Sequence, residues 1–207
     1  MKSADPLELC SDEDLLARFR AGESEAFGLL VRRYQRELYG YLRRYLADPT
    51  LAEDVFQNTF LQVFQKIDQY EAGRPVRPWL YTIATHQAID ALRRAGRRQT
   101  VSLDQLRDTD ANGEMHSLLE LLQSRQAGDP LGHVEAHERR ELVRQSVDDL
   151  PEHLRATVLL AYYRGMKYRD IADVLGIPVG TVKSRLHVAI NRLQEAWQQK
   201  HPLPEEV

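Results

Sequence analysis

The stretch DIADVLGIPVGTVKSRLHVAI, residues 170–190, admits very few folds. Helical periodicity runs to Leu175, breaks at Gly176, passes Pro178 and restarts at once. Two helices joined by so short a turn must cross at a steep angle. Such a crossing needs a small residue where the second helix presses on the first, and Ala172 stands there. Gly176, four positions on, supplies backbone tolerant of positive φ. Val182, six further, supplies an inward apolar anchor, and Ile171, Leu175, Ile177 and Leu186 complete the expected seam. Pro178 precedes or opens the second helix, where a missing N–H costs little. With Val182, Leu186 and Ile190 inward, Thr181, Lys183, Ser184, His187 and Val188 face mainly outward, with Arg185 at the flank.

That outward face suits the major groove of DNA, where the first residues of a recognition helix reach base edges. Lys183 can donate to guanine acceptors or a phosphate, Ser184 and His187 can hydrogen-bond bases, and Val188 can touch a thymine methyl. Arg185 is expected to grip phosphate. A helical corner with a solvated basic face is the plainer alternative. The alanine–glycine–valine spacing and the absence of any acid from Gly180 to Gln194 favour DNA.

The rest of the chain also reads as helix. Ser11 and Asp14 form a capping box before Leu15, Leu16 and Phe19. Ser24 is expected to cap a long helix carrying Phe27, Leu30, Tyr34, Leu38, Tyr41 and Tyr45 until Asp48-Pro49 stops it. Thr50 and Glu53 predict another capping box ahead of Phe56, Phe60, Val63, Phe64 and Ile67. EAGRPVRP reads as a loop, and Pro78 suits the first turn of a helix with Trp79, Leu80, Ile83, Ala84, Ala88 and Leu92. Further on, Leu142, Val143, Val147 and Leu150 precede a helix opened by Pro151 and ended by Gly165. No alternating β-type segment occurs, so the expected fold is all-α, with two small helical domains.

Charge divides the chain. Residues 74–98 hold Arg74, Arg77, Arg93, Arg94, Arg97 and Arg98 against Asp90 alone, whereas residues 99–138 hold eight acids against Arg107 and Arg125. The acidic stretch also contains the turn compositions DTDANG and QAGDPLG. The expected plan is a disordered N-terminus over 1–10, a helical domain over 11–98, an acidic linker over 99–137, a helix-turn-helix domain over 138–199 and a tail over 200–207. A short helix at EMHSLLELLQ is expected in the linker. A single cysteine, Cys10, excludes a disulfide framework and fits a reducing, cytoplasmic compartment. No apolar run approaches the ~20 residues of a membrane span, and the opening MKSADPLELCSDED does not read as a signal peptide.

RPVRPWLYTIATHQAIDALRRAGRR interleaves arginines with Trp79, Tyr81 and His86. Cations that track phosphates beside rings that hold unstacked bases make a surface for single-stranded nucleic acid, although a core tryptophan and tyrosine beneath a solvated arginine end would read alike. Taken in order, AEDVFQNTFLQVFQKIDQY, RPWLYTIATHQAIDALRRAGRR and LPEHLRATVLLAYYRGMKYRDIADVLGIPVGTVKSRLHVAINRL resemble bacterial RNA polymerase sigma factors of the extracytoplasmic-function (ECF) type, over essentially residues 12–199.

The resemblance implies that the N-terminal domain binds core RNA polymerase at the clamp helices of its largest subunit, and that the flap region is a further contact. Asp54, Gln57, Asn58 and Gln62 would belong to the clamp contact. It implies melting of the promoter's minus-ten element and capture of a flipped base, with Trp79, Tyr81, His86, Gln87 and Asp90 as strand contacts and Arg93, Arg94, Arg97 and Arg98 on the backbone. Thr181, Lys183, Ser184, Arg185, His187 and Val188 would read the minus-thirty-five element. An anti-sigma factor is the implied inhibitor. Thr82, His86 and Val188 stand where many relatives carry arginine, asparagine and arginine respectively.

Two other readings compete. A stand-alone helix-turn-helix regulator would bind duplex DNA tightly without polymerase, usually at dimeric half-sites. A metal site is suggested by HVEAH, which puts His133 and His137 one turn apart, but His116 and His153 lack the spacing of a third ligand. AGESEAFG and GIPVG lack the lysine and spacing of a phosphate loop. No cofactor and no enzymatic activity are expected.

Overall fold

The computed structural model describes residues 7–96 and 142–200. All regular structure among them is helical, and the chain forms two compact units, one essentially the residues up to Arg98 and one essentially those after it. The linker, with EMHSLLELLQ, His116 and HVEAH, lies outside the described residues, as do Arg97 and Arg98.

The N-terminal unit contains α1 (Asp12–Arg20), α2 (Ser24–Leu46), α3 (Pro49–Gln65), a 3₁₀ turn at Ile67–Gln69 and α4 (Val76–Arg94). The first cap forms as expected, with the Ser11 hydroxyl accepting from the Asp14 N–H at 3.0 Å. Residues 7–10, expected within a disordered N-terminus, instead form a turn. Arg33 holds it, donating to the carbonyls of Glu8 and Cys10 at 3.3 and 3.0 Å and pairing with Asp12.

Two expected caps move. Ser24 is the first helical residue of α2, and Glu23 before it makes no side-chain cap. On α3 the cap is Asp48, whose carboxylate accepts from the Leu51 N–H at 3.0 Å, rather than Thr50 with Glu53. The reason is Pro49: it fits the first helical position, where no N–H is needed, and so starts α3 two residues early. Asp48-Pro49 therefore opens a helix as well as following one.

The core of this unit lies where α2 meets α3 and α4. Leu38, Tyr41, Leu42, Leu80 and Tyr81 have no exposed surface. Burying each such leucine stabilises the fold by about 1.5–3 kcal/mol. Tyr41 packs on Tyr45 and Tyr81 with ring centroids 5.8 and 5.2 Å apart, and its hydroxyl meets that of the buried Thr85 at 2.9 Å. Buried Thr59 donates to the Val55 carbonyl at 2.7 Å, so this core hydroxyl is not orphaned. Phe64 departs from the expected core. It is 53% exposed beside the 55% exposed Leu61, with Phe19 and Phe27 ring centroids 5.4 and 5.9 Å away.

In the C-terminal unit, α5 (142–148) and α6 (Glu152–Val158) precede a π turn, Leu159–Tyr163, which continues α6 directly. α7 (Tyr168–Leu175) and α8 (Val179–Lys200) form the helix-turn-helix. A π turn takes up one residue more than an α-helical turn. Here it buries both Leu159 and Leu160 and leaves Tyr162 half-buried.

Gly176 sits at φ +63°, and the N–H of Ile177 donates to the Ala172 carbonyl at 3.0 Å, closing α7 in a left-handed cap. Pro178 stands just before α8, its carbonyl accepting from Thr181 and Val182 at 2.9 and 3.1 Å. Ile171 and Val182 are fully buried, and Ala172 and Leu186 nearly so. Leu175 and Ile177, however, are only half-buried. Val174 fills the seam instead, because three residues after Ile171 is nearer its face of the helix than four after it.

Candidate nucleic-acid interface

α8 begins with Val179 and Gly180 exposed and carries no acid in its first turn. Val182, Leu186, Ala189, Ile190 and Leu193 are buried and fix its rotation. Lys183 is then the exposed cation of the outward face, while Thr181, Ser184, Arg185, His187 and Val188 are half-buried along it. Ser184 donates to the Thr181 carbonyl at 3.1 Å. One turn beyond His187, the Asn191 amide lies 3.3 Å from its Nε2, a partner the sequence reading missed although the i, i+4 spacing announces it.

In the N-terminal unit, α3 and α4 with the 3₁₀ turn bound an open cleft of about 380 Å³. Trp79, His86, Gln87 and Asp90, expected as strand contacts, all line it. So do Lys66, Gln69, Thr82 and Ile83, which the sequence reading did not name as site residues. Gln62, expected with the polymerase contacts, lines this cleft too, whereas Asp54, Gln57 and Asn58 share an exposed face of α3. Gln57 donates to Glu53 at 3.0 Å on that face.

Tyr81 is elsewhere. It has no exposed surface, and its hydroxyl donates to Glu37 at 2.8 Å, so the structure puts it in the core and not on a strand-binding surface. Helical period explains the error: Trp79, Thr82, Ile83, His86 and Asp90 share one face of α4, and Tyr81 projects toward α2. Trp79 is half-buried, with its ring 5.0 Å from that of Tyr70. The Tyr70 hydroxyl donates to the Arg74 carbonyl. Burial, and secondarily the charge of Glu13, raise its pKa above the usual value, so it remains a donor. At the far end of the cleft, Arg93 and Arg94 are exposed, Arg93 lying 3.6 Å from Asp90. Polar, aromatic and cationic groups thus border one concavity large enough for a base.

A duplex-reading helix-turn-helix together with a helical unit bearing a cationic-edged cleft defines a two-module nucleic-acid-binding protein. Comparison with known proteins narrows this. Residues 30–98 match the model of Sigma-70 region 2, and residues 140–193 that of Sigma-70 region 4. The RNA polymerase sigma-H factor of Pseudomonas aeruginosa is 33% identical over 195 residues, covering 90% of this chain and 94% of that protein. The ECF RNA polymerase sigma-E factor of Haemophilus influenzae is 31% identical over 191 residues, covering 92% and 97%. Among solved structures, CnrH in complex with the cytosolic domain of CnrY superposes with a TM-score of 0.62 at 24% identity, covering 91% of this chain and 97% of that one; this likeness bears on the fold.

The chain belongs to the ECF-type RNA polymerase sigma factors. It is a promoter-specificity factor that binds core polymerase, recognises the minus-thirty-five and minus-ten elements and promotes strand opening. The stand-alone regulator reading is not favoured.

Proposed function

We propose that the two units divide promoter recognition by residue as follows. α8 reads the minus-thirty-five duplex through Lys183, Ser184, His187 and Val188, with Thr181 and Arg185 on the backbone. The α3/α4 cleft holds an unstacked base of the minus-ten element between Trp79, His86, Gln87 and Asp90, and Arg93 and Arg94, with Arg97 and Arg98 following, track the strand. Asp54, Gln57 and Asn58 face the polymerase clamp. The domains run 11–98 and 138–199, with the acidic linker between them. The protein works in the cytoplasm as an initiation factor rather than an enzyme. Among the described residues no helix is long and apolar enough to cross a membrane.

One observation carries this reading: four strand-contact residues, named from sequence alone, line a single cleft beside two exposed arginines. Base flipping costs a few kcal/mol, and a cationic groove with a shaped pocket offsets it. An anti-sigma factor is the proposed inhibitor; the similar protein CnrH was solved with the cytosolic domain of a second protein bound. The test is transcription in vitro with core polymerase, with permanganate mapping of unpaired thymines. Arg93→Glu with Arg94→Glu is expected to suppress opening more than polymerase binding. Loss of polymerase binding in that variant would overturn the assignment.

A further inference from the structure

The cleft is held in shape by a helix outside the span that the region 2 model matches, which begins at residue 30. α4 opens at Val76 behind Pro75, whose side chain makes no cap. Its first N–H, on Val76, donates instead to the Glu13 carboxylate of α1 at 3.0 Å, across 63 residues of chain. Val76 is 1% exposed, so water cannot readily replace that acceptor. One residue on, Arg77 donates to Glu37 of α2 at 3.0 Å. The segment leading into α4 is tied at its other end, where Tyr70 donates to the Arg74 carbonyl and packs on Trp79. Trp79 and Gln69 then face the cleft.

We propose that Glu13 is a positioning residue for strand opening: by capping the first turn of α4 it sets the placement of Trp79, and of the segment before it, against the α3/α4 cleft. The inference rests on the reading of that cleft as the strand-capture site. Glu13 touches no nucleic acid in this scheme. It acts through Val76, as a carboxylate suited both to the orphan N–H and to the positive end of the helix dipole.

The test uses the full chain with core polymerase and compares Glu13→Ala with Glu13→Gln, which keeps an acceptor oxygen at nearly the same reach. Glu13→Ala is expected to slow promoter opening about tenfold, with affinity for core polymerase and closed-complex affinity unchanged. Glu13→Gln is expected to restore opening to within about twofold of wild type. In a Trp197→Phe background, Trp79 emission should shift to longer wavelength in Glu13→Ala and not in Glu13→Gln. Opening at the wild-type rate in Glu13→Ala, a parallel loss of core affinity, or a Gln variant as slow as the Ala variant would each overturn the proposal. A Trp79→Ala chain that opens promoters normally would instead remove the cleft reading, and the positioning role with it.

Discussion

The Tyr81 hydroxyl donates to Glu37 from a side chain without exposed surface, while Trp79, two residues earlier, borders an open cleft. Neighbours in sequence should therefore separate in experiment. Tyr81→Phe is expected to lower stability by about 0.5–1.5 kcal/mol in urea unfolding and leave promoter opening unchanged. Trp79→Ala or His86→Ala should slow opening instead. Tyr34 gives a pH prediction. Burial first, then its hydrogen bond to Asp12 and the charges of Asp12 and Glu37, raise its pKa above 10.0. A group whose folded pKa is raised stabilises fully below the unfolded value, and that stability is lost as pH rises above it. Thermal melts should therefore fall as pH climbs beyond about 10, less steeply in Tyr34→Phe. At this scale the sequence was readable where one helical face settles orientation, as for Lys183 and His86. It misled at Tyr81, because a tyrosine among arginines looks the same in a core as on a nucleic-acid surface.

Caps illustrate the scale of elements. The carboxylate that accepts from Leu51 belongs to Asp48, so Asp48→Ala should destabilise the N-terminal unit by about 1 kcal/mol, and Thr50→Ala should change it little. Chemical denaturation of the two variants side by side checks this. Gly176 closes α7 at φ +63°, and a Cβ there would meet nothing within 4 Å, so the cost of Gly176→Ala is conformational alone. About 1–2 kcal/mol of lost stability in the C-terminal unit is expected, with weaker minus-thirty-five binding. Gly176→Asn should lose less. The turn was legible because its chemistry is local. The Glu13 cap was not: nothing in PVRP points to an acceptor 63 residues upstream. Lys66 and Gln69 escaped notice in the cleft for a similar reason, since they come from the end of α3 and the turn after it, without periodicity to aim them.

For the whole molecule, the two-unit plan could be read from charge reversal after Arg98 and from two separate sets of helical periodicity. Two modest DNA contacts on one chain gain by effective concentration, so severing the linker while supplying both halves should cut promoter-directed transcription about 10²–10⁴-fold. Binding of the chain to duplex DNA without polymerase should be weak and fall steeply with salt, as a gel shift across a salt series would show. The π turn at Leu159–Tyr163 went unforeseen, because its apolar run reads equally well as ordinary helix. Its surplus residue works as a phase setting. Deleting one codon there would leave a regular helix but rotate everything downstream by about 100°, swinging the reading face off its target as surely as replacing every residue on it.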